Sequence, residues 1–262
     1  MLSEIKKHLK EHPWVDKIQY FDVLDSTNTY AKHLATQGAP EGTVIVAAQQ
    51  TGGRGRLGRS FSSPAGMGIY LSVILRPDCR PEELMYLTCA TGVATGNAIA
   101  RITGICPGIK WTNDLVLGKR KLGGILTELS VEAISGKVAW VVVGIGINCC
   151  QKQEDFPPEI QDMACSLETE QHNIPALCAA LIAELKNLAD GLLSKKAEIM
   201  AVFAQRCVTI GSEISILRGD EVRHGTAIGV DADGGLQVLY PDGTKATVTS
   251  GEVSIRGMYG YL

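Results

Sequence analysis

No run of about 18 apolar residues occurs in the chain, which excludes a conventional membrane-spanning helix. The opening stretch "MLSEIKKHLKEHPWVDKIQYF" carries too many charges for the apolar core of a secretion signal. Aromatics are scarce at 5%, and the net charge is only −3. No global field therefore draws the protein to nucleic acid or to an anionic membrane. The eight cysteines (Cys79, Cys89, Cys106, Cys149, Cys150, Cys165, Cys178 and Cys207) form no C-x-x-C pair. The histidines, His8, His12, His33, His172 and His224, fall at no metal-ligand or triad spacing. A disulfide or zinc framework is thus excluded. Most cysteines sit among apolar neighbours, as in "LTCATG" and "ALCAAL", and are expected to be buried free thiols. A cytoplasmic protein is expected.

What remains is ordinary globular composition, 45% hydrophobic and 20% charged over 262 residues, enough for a large domain or a large one with a small one. Short elements alternate. "TVIVAAQ" (43–49) and "GIYLSVIL" (68–75) read as strands. The stretch 80–102 reads as a helix opening on Pro81. "DLVLGKRKLGGILTELSV" reads as two strands joined at Gly118–Lys119–Arg120. "KVAWVVVGIGIN" (137–148) reads as a strand buried on both faces. From Asn173, a candidate N-cap, Ile174, Leu177, Leu181, Leu185, Leu188 and Leu192 recur at helical spacing. After Cys207 only short alternating runs remain, broken by Arg-Gly-Asp, Asp-Gly-Gly and Pro-Asp-Gly turns. That texture predicts a small, barrel-like β unit. The expected division is 1–207 and 208–262.

The segment "QQTGGRGRLGRSFSSP" (49–64) fits two phosphate-binding patterns by its letters. Gly53, Gly55 and Gly58 spell G-x-G-x-x-G; Gly53 to Ser60 spells the P-loop, with Arg59 where lysine is required. Both patterns need a helix after the glycines, and Pro64, Gly66 and Gly68 forbid one. A flexible surface loop, or a lid whose arginines pair with a polyanion, remains. The lid is expected to be disordered without ligand and ordered with it.

"IKWTNDLVLGKRKLGGILTEL" sets Lys110, Asn113, Asp114 and Lys121 into apolar strand context. Singly, these are turn residues and a solvated lysine. Together, a cation, an amide and a carboxylate ahead of Gly123–Gly124 suit phosphoryl or acyl-phosphate chemistry. Ser26 and Thr27 read as an N-cap, or as hydroxyls offered to a polar ligand at a helix start. The glycines of "GIGIN" mark a tapering strand end, or a place where a flat ligand lies against backbone.

The order and spacing of "DSTN", "QQTGGRGRLGRSF", "KWTNDL", "KLGGILTEL" and "GIGIN", followed by a small β unit, resemble biotin protein ligases from about Phe21 to the C-terminus. The resemblance implies an α+β fold: a mixed β-sheet catalytic domain flanked by helices, distantly similar to class II aminoacyl-tRNA synthetases, with a C-terminal SH3-like β-barrel. It implies an ATP-dependent, AMP-forming ligase with ATP and biotin as substrates. The biotin carboxylate attacks the ATP α-phosphate with Mg²⁺, giving biotinyl-5′-AMP and pyrophosphate. A lysine of a biotin carboxyl carrier domain, part of a biotin-dependent carboxylase, then takes the biotin and releases AMP. Mg²⁺ is expected mainly through the ATP phosphates, its protein ligands unassigned.

By the same resemblance, Lys121, Arg54, Arg56, Asp114 and Asn113 are the catalytic set. Ser26, Thr27, Gln50, Gly53, Arg54, Arg56, Lys121, Gly124 and Leu126 would bind biotin. Arg56, Phe61, Asn113, Lys121, Gly144, Ile147, Asn148 and Arg256 would border the nucleotide, with Phe61 standing where some members have tryptophan. Lys121 is expected to bridge carboxylate and α-phosphate.

Two departures stand out. The residues before Phe21 are too few for the DNA-binding domain that some members carry, so no DNA partner and no repressor role are expected. Gln-Thr-Gly-Gly-Arg has glycine where alanine is common, which is expected to loosen the loop's hinge. A lipoate–protein ligase is disfavoured by the R-G-R-x-G loop and the "KWTNDL" spacing, and a nucleic-acid module by charge and the few aromatics. Neither membrane association nor an acceptor identity is implied; a homodimer stays open.

Overall fold

A computed structural model describes residues 1–218 and 221–258. The first part holds helices α1 (Leu2–Leu9), α2 (Thr27–Thr36), α3 (Leu87–Thr103), α4 (Ile174–Gly191) and α5 (Lys196–Arg206). Its strands are β1 (Ile18–Leu24), β2 (Val44–Gln50), β3 (Gly68–Leu75), β4 (Gly108–Lys110), β5 (Asp114–Leu117), β6 (Arg120–Val131) and β7 (Val138–Asn148). They form one sheet in the order β1-β2-β3-β7-β6-β5-β4. Only β1 and β2 are parallel, because α2 supplies the crossover that a parallel pair requires.

Helices cover both faces of this mixed sheet. Strand β3, buried at every residue, is apolar apart from Ser72, the near-continuous run expected of a strand with no solvent face. On one face, α3 and α4 pack against each other, α1 lies on α4 and α5 on α3. The opposite face is covered by α2, whose Ala31 and Ala35 meet Ile45, Ile74 and Val142.

The second part holds β8 (Glu213–Arg218), β9 (Glu221–Val230), β10 (Leu236–Leu239), β11 (Lys245–Val248) and β12 (Glu252–Ile255), an antiparallel sheet in the order β11-β10-β9-β8-β12. Gly219 and Asp220 of the expected Arg-Gly-Asp turn lie outside the described residues. The buried apolar cluster of the first sheet runs on into Ile214, Ile216, Ala227, Leu236 and Val238 of the second. Among the described residues no helix is long and apolar enough to cross a membrane, and all eight cysteines are free thiols, six of them buried.

Three local expectations need correction. Residues 81–84 form a 3-10 turn, and the α-helix starts only at Leu87. Glu83 closes that turn on itself, its carboxylate accepting the Arg80 N–H at 2.9 Å. Arg120 belongs to β6 opposite Leu117, so the β5–β6 turn is Gly118–Lys119, with Gly118 at φ 57°. Asn173 occupies the N-cap of α4 but makes no side-chain cap bond; its Nδ2 donates to Thr169 Oγ1 instead. The six apolar residues of the helical stripe are all buried as expected.

Candidate functional site

A cavity opens beside the ends of β2, β5, β6 and β7, under the arginine-rich loop and against the second sheet. Its closed end is built at the start of α2. Ser26 is the N-cap, its hydroxyl accepting the Thr29 N–H. The next residue, Thr27, gives its backbone N–H to Gln50 Oε1 at 2.8 Å, and Gln50 Nε2 donates to Ser63 Oγ at 2.9 Å. Ser26, Thr27 and Gln50 thus line one pocket although 23 residues separate Thr27 from Gln50.

The glycines of "GIGIN" have a physical explanation. A Cβ on Gly144 would lie 1.9 Å from Asn28 Oδ1, and one on Gly146 would lie 2.6 Å from the Phe61 ring. The flat groups lying on this backbone are therefore an amide and a phenyl ring of the protein itself. Phe61 in turn packs edge-on against Tyr70, with centroids 6.4 Å apart.

No α-helix follows the Gly-rich segment. The loop folds back on itself: Arg54 bridges to Ser60, Gly55 N–H donates to the Arg59 carbonyl, and Leu57 and Gly58 take positive φ. A Cβ on Gly52 would meet only the Oδ1 of the exposed Asp25 side chain, at 2.1 Å, which can turn away, while the Gly52 N–H donates to the Asp25 carbonyl. From this hairpin Arg56 reaches across the cavity, donating to Asn113 Oδ1 at 2.9 Å and to the Gly251 carbonyl at 3.4 Å. Arg59 pairs with Glu252 Oε1 at 2.6 Å. The loop is thereby fastened to the second sheet.

At the opposite wall Lys121 Nζ lies 2.7 Å from Asp114 Oδ1. Asn113 Nδ2 donates to the same carboxylate oxygen and to the Ile125 carbonyl, leaving its Oδ1 for Arg56. Lys110, buried at the end of β4, lines the same space. Burial pushes the Lys110 ammonium below its ordinary pKa and Lys121 adds to this, while Asp114 opposes them. Lys110, Lys121, Arg54, Arg56 and Arg59 outnumber the lining carboxylates Asp114 and Glu252. This excess of fixed positive charge suits a polyanionic ligand.

Most of the expected residues converge here: Ser26, Thr27, Gln50, Arg54, Arg56, Phe61, Asn113, Asp114, Lys121, Gly124, Leu126 and Gly144 line the cavity. Four lie elsewhere. Gly53 sits behind the lining, its carbonyl accepting the Phe61 N–H. Ile147 is fully buried in β7. Asn148 is buried and donates to the Cys165 carbonyl. Arg256 points outward and pairs with Glu213 at 2.8 Å. Sequence reasoning missed Asn28, Trp111 and the segment Gly251–Val253. Asn28 and Trp111 belong to quoted motifs, whereas nothing local marks Gly251 or Glu252. Among the described residues no group of three or more His, Cys, Asp or Glu could hold a metal ion.

Comparison with known proteins agrees with this geometry. Residues 20–148 match the family model described as biotin/lipoate A/B protein ligase family, and residues 209–256 match the biotin protein ligase C terminal domain. The bifunctional ligase/repressor BirA of Bacillus spizizenii is 35% identical over 247 residues, covering 93% of this chain and 75% of the relative. The biotin–[acetyl-CoA-carboxylase] ligase of Mycobacterium tuberculosis is 30% identical over 234 residues, covering 87% and 85%. Among solved structures, the biotin protein ligase from Aquifex aeolicus in complex with biotin and ATP superposes with a TM-score of 0.74 at 29% identity. That match covers 91% of this chain and 98% of the other. On extended identity to these relatives and on the shared fold, the chain belongs to the biotin protein ligase family.

Proposed function

We propose that this protein activates biotin with ATP to biotinyl-5′-AMP and transfers the biotin to a lysine of a biotin carboxyl carrier domain. The observation that carries this reading is the polarity of one cavity. Neutral amide and hydroxyl groups line the Ser26–Gln50 end, cations line the other, and the Lys121–Asp114 pair stands on the cationic wall.

In this reading biotin's ring system lies toward Ser26, Thr27 and Gln50, and its chain runs along Gly124 and Leu126. A carboxylate oxygen attacks the α-phosphorus as the bond to the pyrophosphate oxygen breaks. Lys121 Nζ leaves Asp114 to bridge the carboxylate and the α-phosphate, where negative charge grows. Asn113 holds Arg56 over the reacting groups, and Arg54 and Arg56 offset phosphate charge. Phe61 packs against the adenine or biotin side, and Gly144 borders the adenylate. Mg²⁺ enters with ATP as its phosphate complex. In the second step the acceptor lysine's amine attacks the acyl carbon, AMP leaves, and the nitrogen sheds its proton. Residues 1–207 are read as the catalytic unit and 208–262 as the C-terminal domain.

The test is biotin-dependent exchange of labelled pyrophosphate into ATP. Lys121→Ala is expected to lower exchange on the order of a hundredfold or more, with the melting temperature little changed because Lys121 is a part-exposed strand residue. Unchanged exchange removes Lys121 from the mechanism. Labelling of an acceptor domain with lipoate, and none with biotin, would instead favour lipoate ligation.

A further inference from the structure

At the closed end of the cavity, the lining residues Asn28, Thr27 and Gln50 and the buried Ser72 behind them form a row of oxygens whose protons can be counted. Asn28 Nδ2 donates to the Leu126 carbonyl at 3.2 Å and to Glu128 Oε2 at 3.0 Å. Both partners are acceptors only. Burial pushes the Glu128 carboxyl up, but hydrogen bonds from Lys32 at 2.6 Å and from Asn28 outweigh this and hold it below the usual range. Turning the Asn28 amide over would set its oxygen against two oxygens. Gln50 is fixed likewise, because its Oε1 must accept the Thr27 backbone N–H.

Two hydroxyls stand between these two fixed amide oxygens. Asn28 Oδ1 lies 2.6 Å from Ser72 Oγ, Ser72 Oγ lies 2.8 Å from Thr27 Oγ1, and Thr27 Oγ1 lies 3.1 Å from Gln50 Oε1. Three oxygen–oxygen contacts share two protons. The contact left without a proton is the longest, since facing lone pairs repel more strongly at 2.6 and 2.8 Å. Ser72 therefore donates to Asn28, and Thr27 donates to Ser72. Ser72 is fully buried. Thr27 Oγ1 and Gln50 Oε1 are left with lone pairs facing the gap between them.

We propose that Ser72 and Asn28, anchored by Glu128, are positioning residues that fix the Thr27 hydroxyl as an acceptor and so select ligands that bring an N–H donor to the Thr27–Gln50 gap. The inference rests on the biotin reading and deepens it. A ureido ring carries N–H donors, whereas the dithiolane ring of lipoate has none and leaves both acceptors unmet.

The experiment is calorimetric binding to the full chain of biotin and of its cyclic carbamates, in which one ring N–H or the other is replaced by oxygen. The wild-type protein is expected to prefer biotin over the weaker carbamate on the order of tenfold to a hundredfold. In Ser72→Ala and in Asn28→Ala the Thr27 proton is released, and that preference should fall at least about fivefold. Ser72→Thr, which keeps a hydroxyl, should retain it. Equal loss of affinity for both ligands, with the preference intact, would reduce these residues to packing and overturn the proposal. So would wild-type protein that binds biotin and carbamate equally. Wild-type protein that binds no biotin at all would overturn the functional reading, and the proposal with it.

Discussion

Arg56 ties three parts of the chain together, the Gly-rich loop, Asn113 and the Gly251 carbonyl. Removing its side chain leaves the loop hairpin intact but cuts its bonds across the cavity. Arg56→Gly is therefore expected to release the adenylate early. Biotin label on a bystander protein without an acceptor domain should rise on the order of tenfold, as measured after incubation with ATP and biotin. A second outcome follows from Glu128. Its folded pKa lies below the ordinary 4.5, so the unfolded chain takes up the proton first as pH falls. The stabilisation is complete above about 4.5 and is lost on acidification through the folded value. Urea midpoints should thus fall more steeply below that pH for the wild type than for Glu128→Gln. At this scale the sequence was readable where several polar residues gathered in apolar strand context, as at Lys110, Asn113, Asp114 and Lys121, but not at Ser72, a single hydroxyl within β3. It was not readable at Glu252, whose role depends on Arg59, 193 residues away.

The elements were legible where burial alone decides them. Near-continuous apolar runs made β3 and β7, and a stripe at helical spacing made α4. Periodicity says less where side chains close local bonds, and that is why Glu83 ends the 3-10 turn before α3 and why Asn173 does not cap α4. The glycines of β7 were visible, but their occupants were not. Gly146 faces Gly124 across the ladder and carries the Phe61 ring. A methyl group there has to displace Phe61, because the strand backbone is held on both sides by β3 and β6. Gly146→Ala is expected to cost about 1–3 kcal/mol by overpacking. It should also expose the loop after Phe61, read as faster proteolysis between residues 52 and 64 at unchanged far-ultraviolet circular dichroism.

Across the whole molecule, Trp111 joins the two sheets. Its backbone N–H donates to Thr209 Oγ1 at 2.9 Å and its indole Nε1 to the Gly234 carbonyl at 2.7 Å. Trp111→Phe leaves that buried carbonyl without its donor, and about 1–3 kcal/mol of stability should be lost. Chemical denaturation with separate probes on each sheet measures it. The division near residue 207 was suggested by texture alone, and no pattern foretold that the apolar cluster would continue across it. The fastening of the loop to Gly251 and Glu252 carries a reciprocal obligation. Whatever acid and nucleotide hold the loop closed steady the small sheet by the free energy that couples the two, and an ordered sheet tightens their binding by that same coupling free energy. Amide hydrogen exchange in β12 should therefore slow when biotin and ATP bind. Raised salt, which loosens the exposed Arg59–Glu252 pair, should weaken the two effects in proportion.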